Sequence, residues 1–159
     1  MRGFLLLFVA LPSCAFADDY VNYSFEPEIA CLAKAEGLED ALSCIGLSVE
    51  ACIENTEGGY SNMAMKDCTY HGLQEWDERL NHYYALRMSE NTDFYYSSPE
   101  EYRQSLRVMQ SAWITYRDTK CAHTLLIWDG GTGGPLAWLG CMMNMTAEQA
   151  LYLEYDGFY

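Results

Sequence analysis

Residues 99–121, PEEYRQSLRVMQSAWITYRDTKC, repeat their apolar side chains on a helical period. Tyr102, Leu106, Met109, Trp113 and Cys121 gather on one side when the segment is wound at 3.6 residues per turn. The start is signalled three times. Ser98 is a capping residue, Pro99 suits the first helical position, and Glu101 stands three after Ser98 as in a capping box. Gln110 and Arg117 fall on the apolar side. A polar group turned toward a core requires a partner there. These two therefore predict internal contacts with another element, and Asp77 on a second long helix is the geometric candidate for Arg117, with Asp118 near the edge.

That second helix is expected over 62–90. Met65, Thr69, Gly72, Trp76, Leu80, Tyr83 and Tyr84 form its apolar side, with Asp77, Asn81 and Tyr84 along one flank. Residues 90–98 read as a loop. Such regular periodicity in both long segments predicts that they pack against each other, antiparallel.

The shorter segments are less regular. Residues 18–25 form a polar and aromatic leader lying on the domain. Residues 27–34 start a short helix that Gly37 breaks. Residues 38–47 and 48–55 look helical with a break near Gly46, Ser48 capping the second. Residues 56–61 are a turn, and 129–135 (DGGTGGP) a glycine-rich loop. A short apolar segment over 136–143 and a separate helix from Thr146 through about Glu154, opened by the capping box of Thr146 and Gln149, end the chain. No run alternates long enough to demand a strand.

Compartment comes from the start of the chain. Residues 1–17, MRGFLLLFVALPSCAFA, have a basic residue at position 2, an apolar run from Phe4 to Leu11, and Ala15-Phe16-Ala17 as a cleavage site. That is the pattern of a secretory signal peptide, and its apolar run is too short to span a membrane. Lipidation at Cys14 is the rival reading, which Pro12 fits poorly. Cleavage after Ala17 removes one of seven cysteines and leaves Cys31, Cys44, Cys52, Cys68, Cys121 and Cys141. Six cysteines in an exported chain imply three disulfides, with 15 pairings open. Cys44 and Cys52 would lie about 12 Å apart along a continuous helix, too far to pair there. Cys31 and Cys44 are spaced to staple two adjacent helices.

Residues 18–159 then carry eight basic residues against 23 acidic ones, a formal charge of −15. Nucleic acid and anionic membrane are poor partners for such a surface, and a basic protein or a cationic ligand is a better one. No later apolar stretch is long enough for membrane insertion after the leader is removed.

Catalysis finds no support in the residues. His71, Glu75, Glu78 and His82 form a 4-3-4 stripe about 16 Å long, too extended for one metal site and expected as a solvated helix face. His123 stands alone. Gly130–Gly134 lacks the lysine of a phosphate loop and reads as a flexible connection. No cofactor or metal is expected. The 13 tyrosines, among them Tyr83, Tyr84, Tyr95, Tyr96, Tyr152, Tyr155 and Tyr159, exceed what a core of this size holds, and suit either a protein-binding surface or a helical rim.

Residues 52–153 resemble the lysozyme-inhibitor LprI-like domain family. The resemblance runs through Cys52, Met65, Cys68, then Trp76-Asp77-Glu78-Arg79-Leu80-Asn81 with Tyr84. It continues through Gln110-Ser111-Ala112-Trp113, Tyr116-Arg117-Asp118 and Cys121, and closes with Gly133-Gly134, Cys141 and Thr146. Gln149 and Ala150 stand in the region where the family usually has a basic residue. The resemblance implies two family disulfides among Cys52, Cys68, Cys121 and Cys141, with Cys31 and Cys44 an extra staple. It also implies a structural signature of Asp77, Leu80, Asn81, Tyr84, Gln110, Trp113, Arg117 and Asp118.

The expectation is an all-α, small disulfide-stapled domain built on two long antiparallel helices with shorter flanking helices. Residues 1–17 are the cleaved signal peptide, 18–51 an N-terminal extension, and 52–159 the LprI-like domain. The resemblance implies an exported, non-enzymatic protein of the periplasm or secreted pool that binds and inhibits a basic lysozyme. The alternative is a binding or scaffold protein for another envelope component, without lysozyme inhibition.

Overall fold

Ser98 opens the longest helix with the signal its sequence carries. In the computed structural model, which describes residues 20–90 and 98–155, the Ser98 hydroxyl accepts from the Glu101 N–H and the Glu101 carboxylate accepts from the Ser98 N–H. This box starts a helix over Pro99–Ile127. Numbered in chain order, the helices are α1 (Glu26–Leu32), α2 (Leu38–Leu42), α3 (Leu47–Asn55), α4 (Asn62–Ser89), α5 (Pro99–Ile127) and α6 (Gly134–Tyr155). The described residues are all helix, turn or irregular chain, as the periodicity requires. The expected signal peptide with Cys14, residues 91–97 of the expected loop with Tyr95 and Tyr96, and Phe158 and Tyr159 of the tail lie outside them.

α4 begins at Ser61, whose hydroxyl accepts from the Ala64 N–H at 3.2 Å. It matches the expected long helix to within a residue. α5 runs six residues past Cys121.

The last third of the chain departs from expectation. The apolar segment at 136–143 and the helix from Thr146 are one continuous helix, α6. The Thr146 capping signal goes unused, and its side chain is completely buried in mid-helix. A cap is worth about 1 kcal/mol, whereas α6 buries Leu139, Met143, Met145, Ala147, Ala150, Leu151 and Leu153. Each large apolar side chain removed from water contributes roughly 1.5–3 kcal/mol, so tertiary burial overrides the local signal.

α6 also changes how the two long helices relate. It packs along α4 and against α5, while α4 and α5 touch over only a small area. α6 is thus their common partner. Trp76 and Leu80 of α4, Leu106 of α5 and Ala147, Ala150, Leu151 and Leu153 of α6 form the centre of the core. Gly72 marks a close approach. A Cβ there would lie 2.8 Å from Val49 Cγ2 and 2.9 Å from Met143 Sδ, so α3 and α6 both press on α4 at that turn.

Three disulfides staple successive elements. Cys31–Cys44 joins α1 to the residue chain after α2, Cys52–Cys68 joins α3 to α4, and Cys121–Cys141 joins α5 to α6. Each closes a short loop, worth about 3 kcal/mol in the chain-entropy account.

The N-terminal segment is anchored in a way its sequence does not announce. Asn22 donates from its N–H to Thr56 Oγ1 and from its side chain to the Asn55 carbonyl, both at 2.9 Å. Gly46, at φ +96°, is the N-cap of α3. Ser48 does not cap it as expected. Instead the fully buried Glu28 of α1 accepts from the N–H groups of Gly46, at 3.1 Å, and Ser48. A carboxylate at a helix N-terminus meets both free donors and the positive end of the helix dipole.

Candidate interaction surface

The end of the molecule where α5 passes into α6 has the least expected surface. Leu125, Leu126, Ile127 and Trp128 follow one another at the close of α5, and all four are exposed, Leu126 by 74%, Ile127 by 69% and Trp128 by 50%. Four large apolar side chains together in solvent are uncommon on a monomer and mark contact surfaces. The turn after them is tight. Asp129 and Gly130 adopt left-handed backbone, at φ 43° and 76°. The Gly131 N–H donates to the Trp128 carbonyl at 2.7 Å, and the Gly134 N–H to that of Gly131 at 3.0 Å.

Glycine is required here for contact. A Cβ at Gly133 would fall 2.4 Å from Trp128 Cζ3, so the indole lies directly on the backbone of the turn. The glycine-rich stretch is therefore a platform for Trp128, where composition alone suggested a flexible connection. Leu125, Leu126, Asp129, Gly130, Gly131, Thr132 and Pro135 line a shallow depression of about 420 Å³ beside it. Cys121–Cys141 clamps the two helices below the tip. Asn62 Nδ2 donates to the Thr132 carbonyl at 3.1 Å and ties the turn to the start of α4, where Tyr60 and Met63 are also exposed.

The signature residues are not gathered into one site. Leu80 is core. Asp77 is exposed and accepts from Asn81 Nδ2 at 3.0 Å, one turn along the same helix. Tyr84 is half-buried against the core. Arg117 does not meet Asp77, because α6 stands between their helices. Its Nε donates to Asp118 Oδ1 at 2.9 Å and its Nη1 to Thr146 Oγ1 of α6 at 3.4 Å. The guanidinium also lies 4.9 Å from the centre of the half-buried Trp113 ring, in cation–π range. Gln110 has the internal partner its position demanded: its Oε1 accepts from Gln149 Nε2 at 3.0 Å, with both residues buried.

The histidine stripe is partly covered. Tyr23 stacks on His71 with ring centres 5.3 Å apart, and His82 meets Tyr83 edge-on. Among the described residues no group of three or more His, Cys, Asp or Glu side chains is placed to hold a metal ion.

Two polar clusters had no sequence signal. One is Glu28 with Ser48. The other closes the C-terminal end of α6. Arg79 donates to both Glu154 oxygens, Tyr83 donates to Glu154 Oε1 at 2.7 Å, and Arg87 donates to the carbonyls of Leu153 and Glu154 at 2.7 and 2.8 Å. Burial and the Glu154 hydrogen bond push the Tyr83 phenol up to about 12. These partners lie more than 60 residues apart in the chain, beyond any local pattern.

The family profile described as "Lysozyme inhibitor LprI" matches residues 52–153, more than half of the chain and all of α4, α5 and the tip between α5 and α6. The chain belongs to the LprI family. That family is described by inhibition and not by a reaction, so this LprI protein is a non-enzymatic one. A relative in Rhodobacter capsulatus, an uncharacterized 17.7 kDa protein in the puhA 5′ region, is 24% identical over 157 residues. The alignment covers 94% of this chain and 92% of the relative. No solved structure matches.

Proposed function

We propose that this LprI protein is exported through its N-terminal leader to the periplasm or beyond, and that it binds and inhibits a basic lysozyme or related muramidase. The observation that carries the reading is an exposed apolar end on a strongly acidic body in a chain of a lysozyme-inhibitor family. The two parts have different tasks. A formal charge of −14 over the whole chain steers a cationic enzyme toward the protein and raises the encounter rate. Steering does not select a docking geometry. Leu126, Ile127 and Trp128, the last seated on the glycine turn, supply the contact that does, and tryptophan is among the residue types enriched at the centre of such contacts.

The test is lysis of cell walls by a basic lysozyme, with and without the purified protein, at low and physiological salt. Inhibition that survives physiological salt and falls at least about tenfold in Trp128→Ala, a loss near 1.4 kcal/mol, supports the reading. Folded protein that fails to inhibit at both salts removes it, and places the protein with scaffolds of other envelope components. Inhibition seen only at low salt marks general charge attraction.

A further inference from the structure

Asp129 goes against three local preferences at once. It follows Trp128, the C-cap of α5. A helix presents its unpaired carbonyls and the negative end of its dipole there, so a carboxylate is repelled. Asp129 also holds left-handed backbone at φ 43°, the only residue other than glycine to do so among the described residues. Glycine or asparagine is the residue such a position favours, and a cation the charge. The carboxylate gains nothing within the chain in return. It is exposed and, among the described residues, accepts no hydrogen bond and joins no ion pair. Water satisfies it, so what needs a reason is its place.

The surroundings supply one. From residue 119 through residue 147, Asp129 is the only acidic residue, in a chain that has 23. Lys120, the only Lys or Arg in that stretch, lies over the Tyr116 ring one turn back along α5, with Nζ 5.8 Å from its centre. Asp129 lines the depression of about 420 Å³ whose apolar walls are Leu125, Leu126 and Pro135. A single negative charge among apolar walls matches a long aliphatic stem that ends in a cation. A metal ion would need further ligands, and among the described residues no group of three or more His, Cys, Asp or Glu side chains gathers to hold one.

We propose that Asp129 is the ionic anchor of the α5–α6 end, and that the depression takes a lysine or arginine side chain of the basic partner. The stem packs on Leu125, Leu126 and Pro135, and the head group donates to the Asp129 carboxylate at the negative end of the α5 dipole. Asp129 thereby adds a specificity determinant to the inhibitor reading above, on which this assignment rests. Leu126, Ile127 and Trp128 exclude water around the pair once the partner is seated, so salt screens the pair less than it screens the acidic body. Body charge governs encounter, and the covered pair governs dissociation. The charge that is repelled in the free protein becomes an attraction when the cation arrives.

Asp129→Asn tests this, since asparagine has nearly the same size and tolerates left-handed backbone. Two measurements should move in opposite senses. The Tm of the free variant at low salt should rise by about 1–4 °C, because the repulsion at the end of α5 is gone. Binding to a basic lysozyme at physiological salt, followed by surface plasmon resonance, should weaken at least about tenfold, nearly all of it as faster dissociation. Glu148→Gln removes the same charge about 20 Å along α6 from Pro135 and should leave dissociation unchanged. An asparagine variant that binds as tightly as the parent, where Trp128→Ala does not, overturns the anchor and leaves inhibition standing. So does equal weakening by Glu148→Gln, which marks general charge attraction. So does an asparagine variant less stable than the parent, which gives Asp129 a structural role. A parent that neither binds nor inhibits removes the inhibitor reading itself, and the anchor with it.

Discussion

Glu28 is the residue whose replacement tests the N-terminal architecture most directly. Its side chain is buried completely and accepts from the Gly46 and Ser48 N–H groups at the start of α3. Glu28→Ala leaves both donors without their carboxylate, the Ser48 N–H buried and the Gly46 N–H half-buried. At up to about 1.5 kcal/mol for each orphaned N–H, the loss at neutral pH is at most about 3 kcal/mol. For a chain of this size that lowers Tm by at most roughly 6–12 °C. Urea titration with the disulfides intact measures it. The pH profile adds a second readout. Burial raises the Glu28 carboxyl above the ordinary 4.5, and hydrogen bonds from Ser48 and Gly46 oppose it. The folded state therefore keeps this proton at pH values where the unfolded chain has released it. The proton-linked part of its stability is fully present below 4.5 and is lost as pH rises through the folded value, whereas the hydrogen bonds it accepts from Gly46 and Ser48 remain at neutral pH. Glu28→Gln keeps one acceptor and removes the ionisation, so it should cost less than alanine and flatten this slope. A Glu28→Ala protein within about 0.5 kcal/mol of the parent, or a glutamine variant less stable than the alanine one, would refute the capping role.

Other consequences are as specific. Gln110→Leu or Gln149→Leu alone strands the other amide in the core and should cost about 1–3 kcal/mol, whereas the double leucine variant should recover most of that loss by denaturant titration. Gly72→Ala forces contacts under 3 Å with Val49 and Met143, and should lower stability by about 1–3 kcal/mol. Tyr83 holds its proton to about 12 against an ordinary 10, so its contribution is complete below pH 10 and is lost as pH rises toward 12. An ultraviolet phenol titration that loses a tyrosine titrating near 12 in Tyr83→Phe, together with part of the stability loss between pH 10 and 12, checks the assignment.

Legibility followed the range of the interaction. α4 and α5 were readable because periodicity, caps and proline are local signals, satisfied within one or two turns. Gln110 was readable as an internal polar group, but its partner was not, since Gln149 lies 39 residues away on a helix the local code divided in two. Thr146 shows the reason for that division. Its capping signal is real in isolation, and burial of the surrounding apolar face outweighs it. Arg117 was placed on the right side of its helix and given the wrong partner, because the sequence did not show α6 standing between α4 and α5.

The tip of α5 shows the same boundary. Composition marks residues 129–135 as irregular chain; the described turn covers 129–133, and Gly134 and Pro135 already belong to α6. That the glycines seat an indole, and that Leu126 and Ile127 beside it face solvent, depended on where α6 begins and how the Cys121–Cys141 bridge holds it against α5. The sequence by itself determined helical class, where the two long helices start and the acidic balance, all of which are sums or short-range properties. Only the tertiary structure decided the cysteine pairing, the central place of α6 and the surface left uncovered. Those depend on which distant side chains exclude the most water together, and no local pattern encodes that choice.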